Sequence, residues 1–308
     1  MSIGFVTVGE VTLDDTVLES GEVRRGQTGG GSVYSALGIR LWGHEIGINA
    51  VVGHEYPEDY LSMLRASGVS TSGILRIPGW SLRLWLLHEE NNRKQQVHKL
   101  QGSTFAELDA VRPNPPSEYM TAVGYHLAPS TPEGQMRSRD VIRAARPDAL
   151  ISLDILIEPF IASRLYRDGS ALRGIDVFSP SVVEVEALWP GTRLEHLFPM
   201  LAEQGIRWIA VKMDTRGSIV YDAERRAAYH IPIVAANVVD VTGAGDAFSG
   251  GFLEGIASTG DIVEAGLRGT VSASVAVETW GAFGMLNADR GEAERRLKEL
   301  RGQVERRF

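Results

Sequence analysis

The chain has 308 residues, of which 44% are apolar and 23% are charged, and its formal net charge at pH 7 is −8. That apolar content supports a sizeable core and excludes a disordered chain, while the acidic balance leaves no basic footprint, so nucleic acid is not an expected partner. Because the chain contains no cysteine, disulfides, thiolate nucleophiles and cysteine zinc sites are excluded.

The beginning of the chain does not look like a secretory signal. Residues 1–10 lack a positively charged region and hold only a few apolar residues before Glu10. Nowhere does a run approach the roughly 20 apolar residues that span a bilayer. We therefore expect a soluble, cytoplasmic protein without a membrane partner.

Short apolar runs rich in β-branched residues alternate with helical patterns along most of the chain. The predicted strands are brief apolar runs that end in turn or polar residues, at 3–8, 46–52, 149–153, 175–178 and 207–212. The predicted helices carry apolar residues at spacings of three and four, at 31–42, 59–66, 133–146 and 194–204. This repetition predicts an α/β fold in which helices cover both faces of a parallel sheet.

Two regions, 12–25 and 81–99, break this rhythm because their residues alternate and no helix separates them. In the second region Leu82 and Leu84 alternate with Arg83 and Trp85. Alternation predicts antiparallel strands with one covered face, which would form either a small separate sheet or an ordinary edge hairpin. Near the end of the chain, residues 289–308 are predicted to form a charged, solvated amphipathic helix.

Several nucleotide and metal motifs are missing. No P-loop pattern occurs, and the Gly29-Gly30-Gly31 run lacks the third glycine of a dinucleotide fingerprint. The seven histidines show no metal-ligand spacing.

The segment most indicative of chemistry is 240–252, which reads DVTGAGDAFSGGF. An extended apolar flank, 234–239, precedes its glycines and a helical stripe follows them. The start of a helix exposes unpaired amide N–H groups and partial positive charge, so the glycines predict a site for an anion such as phosphate. Asp246 would accept a proton from an attacking hydroxyl. The alternative is a tight turn in which Asp246 only begins the helix.

This segment resembles the C-terminal signature of the ribokinase-like (PfkB) carbohydrate kinases. The resemblance implies that Asp246 is the catalytic base. It implies an anion hole formed by Gly243, Ala244 and Gly245. It also implies that Asp240 and Thr242 lie beside a monovalent-cation site, where K⁺ binds in several members.

The resemblance extends over nearly the whole chain in the family's order. Asp14 and the Gly29–Gly30 turn match the positions that bind the acceptor. The nucleotide would be held by Ser181, by the strand and loop that contain Lys212, Asp214 and Gly217, and by Thr270 and Gly281 around the adenine. The strands in 12–25 and 81–99 would form a lid inserted in a single kinase domain, 1–308.

Three elements depart from the family pattern. Tyr34 replaces an asparagine that touches the substrate, so the acceptor pocket should differ from that of ribokinase. Ser181 replaces the amide of the magnesium-organising element, which leaves Glu184 to order Mg²⁺ through water. Asp154 is all that remains of a common Asp-Pro-Asn run.

Each residue to which the resemblance assigns a role also has a purely structural explanation. Asp14 would start a turn, Tyr34 would pack in the core, and Lys212 would pair with a carboxylate. Glu184 would lie on a solvated helix face. These alternatives stay open at the level of the sequence.

The resemblance thus predicts a three-layer ribokinase-like fold with a mostly parallel central sheet. The expected activity is transfer of the γ-phosphoryl group of MgATP to a hydroxyl of a sugar or polyol. The alternatives are a nucleoside kinase of the same family and a non-catalytic sugar or nucleotide sensor. We also expect a homodimer formed through the lid.

Overall fold

The computed structural model describes residues 3–89 and 93–308. Its strands are β1 (Phe5–Val8), β2 (Thr12–Val17), β3 (Val23–Gly29), β4 (Ile46–Val52), β5 (Val69–Arg76), β6 (Leu82–Glu89), β7 (Arg93–His98), β8 (Gly124–Leu127), β9 (Leu150–Leu153), β10 (Val177–Phe178), β11 (Trp208–Lys212), β12 (Ser218–Asp222), β13 (Ala227–Ile231) and β14 (Glu305–Arg306). Its α-helices are α1 (Gly31–Arg40), α2 (Glu58–Ala66), α3 (Phe105–Val111), α4 (Pro132–Ala145), α5 (Arg164–Arg167), α6 (Val182–Leu188), α7 (Leu194–Glu203), α8 (Ala244–Thr259), α9 (Ile262–Val277) and α10 (Arg290–Arg301).

The larger sheet has ten strands in the order β14-β13-β12-β11-β10-β9-β8-β1-β4-β5. Its pairs from β5 to β11 are parallel, and β12, β13 and β14 continue it in antiparallel fashion. The carboxyl ends of the parallel strands therefore meet at one edge, where open α/β sheets bind their ligands. The predicted α/β class and its mostly parallel sheet are confirmed.

Helices cover both faces of this sheet, because each face carries its own apolar core. On one face the core includes Leu37 of α1, Phe252 of α8 and Leu267 of α9. On the other it includes Leu108 of α3 and Ile142 of α4, together with residues of α5, α6 and α7. The strands between the two cores are buried almost throughout, so they read as apolar runs in the sequence.

The two alternating regions form a second sheet of four strands, β3-β2-β6-β7, which we call the small sheet. Leu82, Leu84 and Leu86 bury one face of β6. The two regions pair with each other, so a separate sheet forms rather than an edge hairpin. One detail of the prediction is wrong: β2 and β6, which join the regions, run parallel, although β2–β3 and β6–β7 are antiparallel. Residues 90–92 of the predicted segment lie outside the described residues.

The predicted helix 289–308 is too long. Asp289 caps α10, which ends at Arg301 with Gly302 as its C-cap, and the chain then pairs as β14 with β13. Pairing with the open sheet edge satisfies backbone groups of β13 that a longer helix would leave unpaired, and local periodicity cannot reveal this long-range gain.

The flank 234–239 that precedes the glycines is not part of any strand. Among the described residues, no helix has both the length and the apolar character needed to cross a bilayer.

Candidate active site

The site is built around the beginning of α8. Gly243 is the N-cap and has a φ of 75°, in the left-handed region that favours glycine. A Cβ atom at this position would lie 2.2 Å from Cγ of Tyr34, so the turn has no room for a side chain. Because the first turn of a helix presents amide N–H groups without intrahelical partners, α8 begins with a concentrated partial positive charge.

Asp246 lies in this first turn, half-buried, and faces the beginning of a second helix. Its Oδ1 atom is 2.8 Å from the place where Gly31, the first residue of α1, would carry a Cβ. Gly30, which precedes α1, has a φ of 95° and packs against the backbone of Glu10 so closely that a Cβ would lie 2.2 Å from its carbonyl oxygen. The amino ends of α1 and α8 therefore converge on one carboxylate.

The residues expected to bind the acceptor lie together beside Asp246. Asp14 is buried on β2 and accepts a hydrogen bond from Thr12 Oγ1 at 2.8 Å. Gly29 on the neighbouring strand leaves room for this carboxylate, because a Cβ there would lie 2.1 Å from Asp14 Oδ2. The residues predicted around 14 and 29 are thus in contact.

Tyr34 links these residues to the helix. It is buried, and burial raises the pKa of its phenol well above the usual value; the charges of Asp240, Asp14 and Asp246 raise it further. A phenol with a raised pKa keeps its proton and acts as a hydrogen-bond donor. Tyr34 therefore belongs to the apolar core and is also close enough to three carboxylates to feel their charge.

A buried cation lies beneath the same helix. Lys212, at the end of β11, forms an ion pair with Asp154 and donates a hydrogen bond to Ser249 Oγ at 3.3 Å. A Cβ on Gly245 would lie 3.4 Å from Lys212 Nζ, which places the ammonium group against the glycine turn. Burial acts to lower the pKa of Lys212, but Asp154 and Glu184 outweigh it and raise the pKa, so the group stays charged.

Ser181 and Glu184 form a capping box at the start of α6. Ser181 donates its backbone N–H to Glu184 Oε2 at 2.6 Å, and Glu184 N–H donates to Ser181 Oγ. Burial and the nearby charge of Asp154 raise the pKa of Glu184. Mg²⁺ is usually held by one or two carboxylates with water and substrate phosphates, so Glu184 fits this task although one of its oxygens caps a helix.

The remaining predicted residues lie at three different places. Asp214 and Gly217, with φ of 56° and 81°, form the turn between β11 and β12, where Gly217 N–H donates to Asp214 O at 3.0 Å. Thr270 is buried in α9, which packs on α8. Gly281 lies against β3, because a Cβ there would be 3.1 Å from Gln27 Oε1. Gly281 is therefore on the small-sheet side of the site and not beside Lys212.

The turn before α8 is held by Asp240 and Thr242. Thr242 N–H donates to Asp240 Oδ1 at 2.8 Å, and both side chains are buried. His88 of β6 reaches this turn, with Nε2 3.2 Å from Thr242 Oγ1 and 3.6 Å from Asp240 Oδ1. The small sheet thus contacts the segment that leads into the anion site.

Sequence reasoning did not assign a role to a group of polar residues under α8. Ser249 Oγ donates to Asp154 Oδ2 at 2.8 Å and lies 3.0 Å from Ser179 Oγ, while His126 Nδ1 lies 3.2 Å from Ser152 Oγ. The available signal was positional: Asp154 directly follows a predicted strand, and the carboxyl ends of parallel strands share one edge.

Comparison with known proteins agrees with this geometry. The family described as pfkB family carbohydrate kinase matches residues 6–288. The chain therefore belongs to the PfkB family of kinases, which transfer phosphoryl groups, as the resemblance in its sequence predicted.

Among curated proteins, the chain is 24% identical over 284 residues to a cytidine kinase of Thermococcus kodakarensis, with 91% of this chain and 98% of the relative covered. Among solved structures it matches a Burkholderia thailandensis nucleoside kinase in complex with inosine, with a TM-score of 0.78, 16% identity and coverage of 96% and 97%. An Arabidopsis thaliana ribokinase complexed with ribose and ATP matches with a TM-score of 0.75, 18% identity and coverage of 97% and 99%. The ribokinase-like fold is confirmed.

Proposed function

We propose that the protein moves the γ-phosphoryl group of ATP to a hydroxyl of a small acceptor that contains a sugar or polyol. The observation that carries this proposal is the position of Asp246, in the first turn of α8 and against the start of α1. A carboxylate at two helix N-termini is the arrangement needed to remove a proton where phosphate charge accumulates.

In the proposed reaction Asp14 and the Gly29–Gly30 turn position the acceptor. Asp246 takes the proton of the acceptor hydroxyl as its oxygen bonds to the γ-phosphorus. The bond from that phosphorus to the bridging oxygen breaks, and its electron pair leaves with ADP. Amides of residues 243–245 and the dipole of α8 stabilise the developing charge, so the protein supplies position and electrostatics and no covalent intermediate.

The nucleotide would lie along the carboxyl ends of β10 and β11. Lys212 would face its phosphates from beneath Gly245, and the turn containing Asp214 and Gly217 would flank it. Ser181 begins the helix that carries Glu184, which would hold Mg²⁺ through water; when bound, Mg²⁺ neutralises phosphate charge. Thr270 and Gly281 remain proposed adenine contacts.

The acceptor has two candidate classes. Free sugars or polyols match the acceptor groups Asp14 and Gly29, and the phenol of Tyr34 provides a further hydrogen-bond donor. A nucleoside is favoured by the relationship to a cytidine kinase over 91% of the chain. Both classes present a hydroxyl to the same base, so they differ only in what lies beyond the sugar ring.

The small sheet is the proposed lid. Its strand β6 contacts the turn before α8 through His88, so its position is tied to the site. Closing over the acceptor would exclude water and limit hydrolysis of ATP.

We also propose that two copies of the chain pair through the small sheet. Light scattering should give twice the mass of the chain, and the mass of a single chain would contradict the dimer.

The decisive experiment measures ADP release from MgATP with ribose, fructose, inositol, cytidine and inosine as acceptors. One acceptor should raise ADP release far above the rate without acceptor. A sugar would identify a carbohydrate kinase and a nucleoside would identify a nucleoside kinase. If ligands bind by calorimetry while no acceptor stimulates ADP release, the protein is a sensor and the proposed activity is wrong.

A further inference from the structure

The contact between His88 and the turn before α8 joins two parts of the molecule that are distant in sequence. His88 lies one residue before the end of β6, and 154 positions separate it from Thr242. Its side chain is 9% exposed and that of Asp240 is 2% exposed, so the contact is largely shielded from solvent. An interaction in such a site is weakened little by dissolved salt.

The turn that His88 touches determines where α8 begins. Thr242 N–H donates to Asp240 Oδ1, which closes an Asx-type turn, and the next residue is Gly243 with its left-handed φ. Val239 N–H and Asp240 N–H both donate to Val277 O, which fixes the entry of the turn. A group that holds Asp240 and Thr242 therefore orients the amides of the anion site.

The hydrogen-bonding roles at this contact follow from the chemistry of the partners. Asp240 as a carboxylate only accepts, and Thr242 Oγ1 accepts or donates. Both distances are accounted for when His88 carries hydrogen on Nε2 and directs this N–H toward the two oxygens. The ring then presents positive partial charge to Asp240.

A monovalent cation does not fit beside these residues. K⁺ in proteins is surrounded by oxygen ligands, whereas Asp240 Oδ1 accepts a hydrogen bond from the Thr242 backbone N–H and lies 3.6 Å from His88 Nε2. The cation site that the resemblance implies for Asp240 and Thr242 is therefore not supported.

We propose that His88 is a positioning residue that takes the place of this cation. The small sheet delivers a ring N–H to Asp240 and Thr242, holds the turn before α8, and makes phosphoryl transfer independent of K⁺. The inference rests on the proposed function, since it concerns the same anion site.

The test compares the wild type with His88→Ala and with Gln95→Ala, a control at an exposed position on β7 of the same sheet. Turnover is measured in potassium, sodium and tetramethylammonium chloride at equal ionic strength. Wild-type turnover should change by less than about twofold among these salts, while His88→Ala should lose about tenfold or more because the hydrogen bond to Thr242 and the electrostatic contact with Asp240 are lost together. Added imidazole should restore part of the lost rate.

A second measurement does not depend on activity. Hydrogen exchange at the amides of 241–247 should be faster in His88→Ala than in the wild type and unchanged in Gln95→Ala. The proposal is overturned if the wild type loses tenfold or more without K⁺, or if His88→Ala matches the control in both turnover and exchange. Should no acceptor support turnover in the wild type, the proposed function fails, and the exchange rates alone decide whether His88 holds the turn.

Discussion

Two carboxylates on α8 show how one helix serves two purposes. Asp246 lies in the first turn, half-buried, beside the start of α1 and the cluster around Lys212. Two turns further on, Glu254 is fully buried on the same helix. Both are acids on an otherwise apolar and glycine-rich element, yet their surroundings differ.

Glu254 is surrounded by hydrogen-bond donors. It pairs with His44 Nε2 at 2.8 Å and with Arg268 Nη1 at 2.6 Å, and it accepts from Ser258 Oγ at 2.6 Å. Burial acts to raise the pKa of Glu254, but the hydrogen bonds from His44, Ser258 and Arg268 outweigh it and lower the pKa. The carboxylate of Glu254 is therefore charged, and its oxygens are held by these donors, as in a structural ion pair.

Asp246 instead faces helix N-termini and an interior cation that is already paired with Asp154. The partial positive charge of these helix N-termini surrounds Asp246, whereas Glu254 lies two turns away from the start of α8 and pairs with Arg268. The comparison teaches that residue type alone does not distinguish a proposed base from a structural acid. What differs is the location of each carboxylate, because Asp246 lies at the amino ends of two helices, whereas Glu254 lies inside a helix beside Arg268.

The largest expected effect is that of Asp246→Asn. Replacing the base by an amide should lower kcat by about 10² or more and leave nucleotide affinity nearly unchanged, because charge stabilisation by the amides remains. Steady-state ADP release and calorimetric titration of the nucleotide measure the two quantities. Turnover near that of the wild type would remove Asp246 from the chemistry and erase the contrast with Glu254.

The reciprocal change is Glu254→Gln. It removes the charge of a buried carboxylate and leaves Glu264 as the remaining acidic partner of Arg268, so the free energy of unfolding should fall by about 2 kcal/mol, while kcat of the folded protein stays within about twofold. Denaturant unfolding and ADP release test this. Glu299→Gln, which removes a partner from an exposed ion pair with Arg295, serves as control and should change stability by less than about 0.5 kcal/mol. A loss of kcat as large as that of Asp246→Asn would refute the structural assignment.

His126 extends the comparison to a buried base, since the nearby carboxylate of Asp154 is already paired with Lys212. Burial lowers the pKa of His126 to about 4, so the folded state holds the ring neutral. Its contribution to stability is complete above the unfolded pKa of about 6.5 and is lost as the pH falls toward 4, because the unfolded chain binds the proton first.

This loss amounts to about 2 kcal/mol between pH 7 and pH 5. In His126→Asn the difference in unfolding free energy between these pH values should shrink by about that amount. Denaturant unfolding at both pH values makes the comparison. An unchanged pH dependence would show that His126 is solvated in the folded protein.

The smallest expected effect is that of Lys212→Met. Removing the ammonium group beneath Gly245 should lower kcat by about tenfold and weaken ATP binding, since a nearby charge for the phosphates disappears. Lys298→Met, an exposed position on α10, is the matched control. If Lys212→Met lowered only the free energy of unfolding, Lys212 would resemble Arg268, as the partner of a structural acid.

Much of the fold was predictable because it depends on local periodicity. The apolar runs around β1, β4 and β11 and the helical stripe of α8 appear within a few residues of where the sequence places them. The end of α10 was not predictable, because the chain turns away from a helix to pair with β13. The parallel pairing of β2 with β6 also depends on a contact between separate segments.

The site divides in the same way. Gly243 and Asp246 were recognisable because a helix N-terminus, its glycines and its acid are contiguous, and the physics of an anion site acts within one turn. Asp154 contacts Lys212 across 58 positions of sequence, and His88 contacts Thr242 across 154 positions. No local sequence pattern predicts either contact.

The amino-acid order alone thus established the alternation of strands and helices and the resemblance to the family, and it indicated Asp246 as the candidate base, since each depends on neighbours in the chain. Folding decided which charges meet: the cation under Gly245, the histidine at Asp240 and the saturated pair at Glu254. The physical reason is that electrostatic interactions act over a few ångströms of space and only a packed core brings distant segments that close.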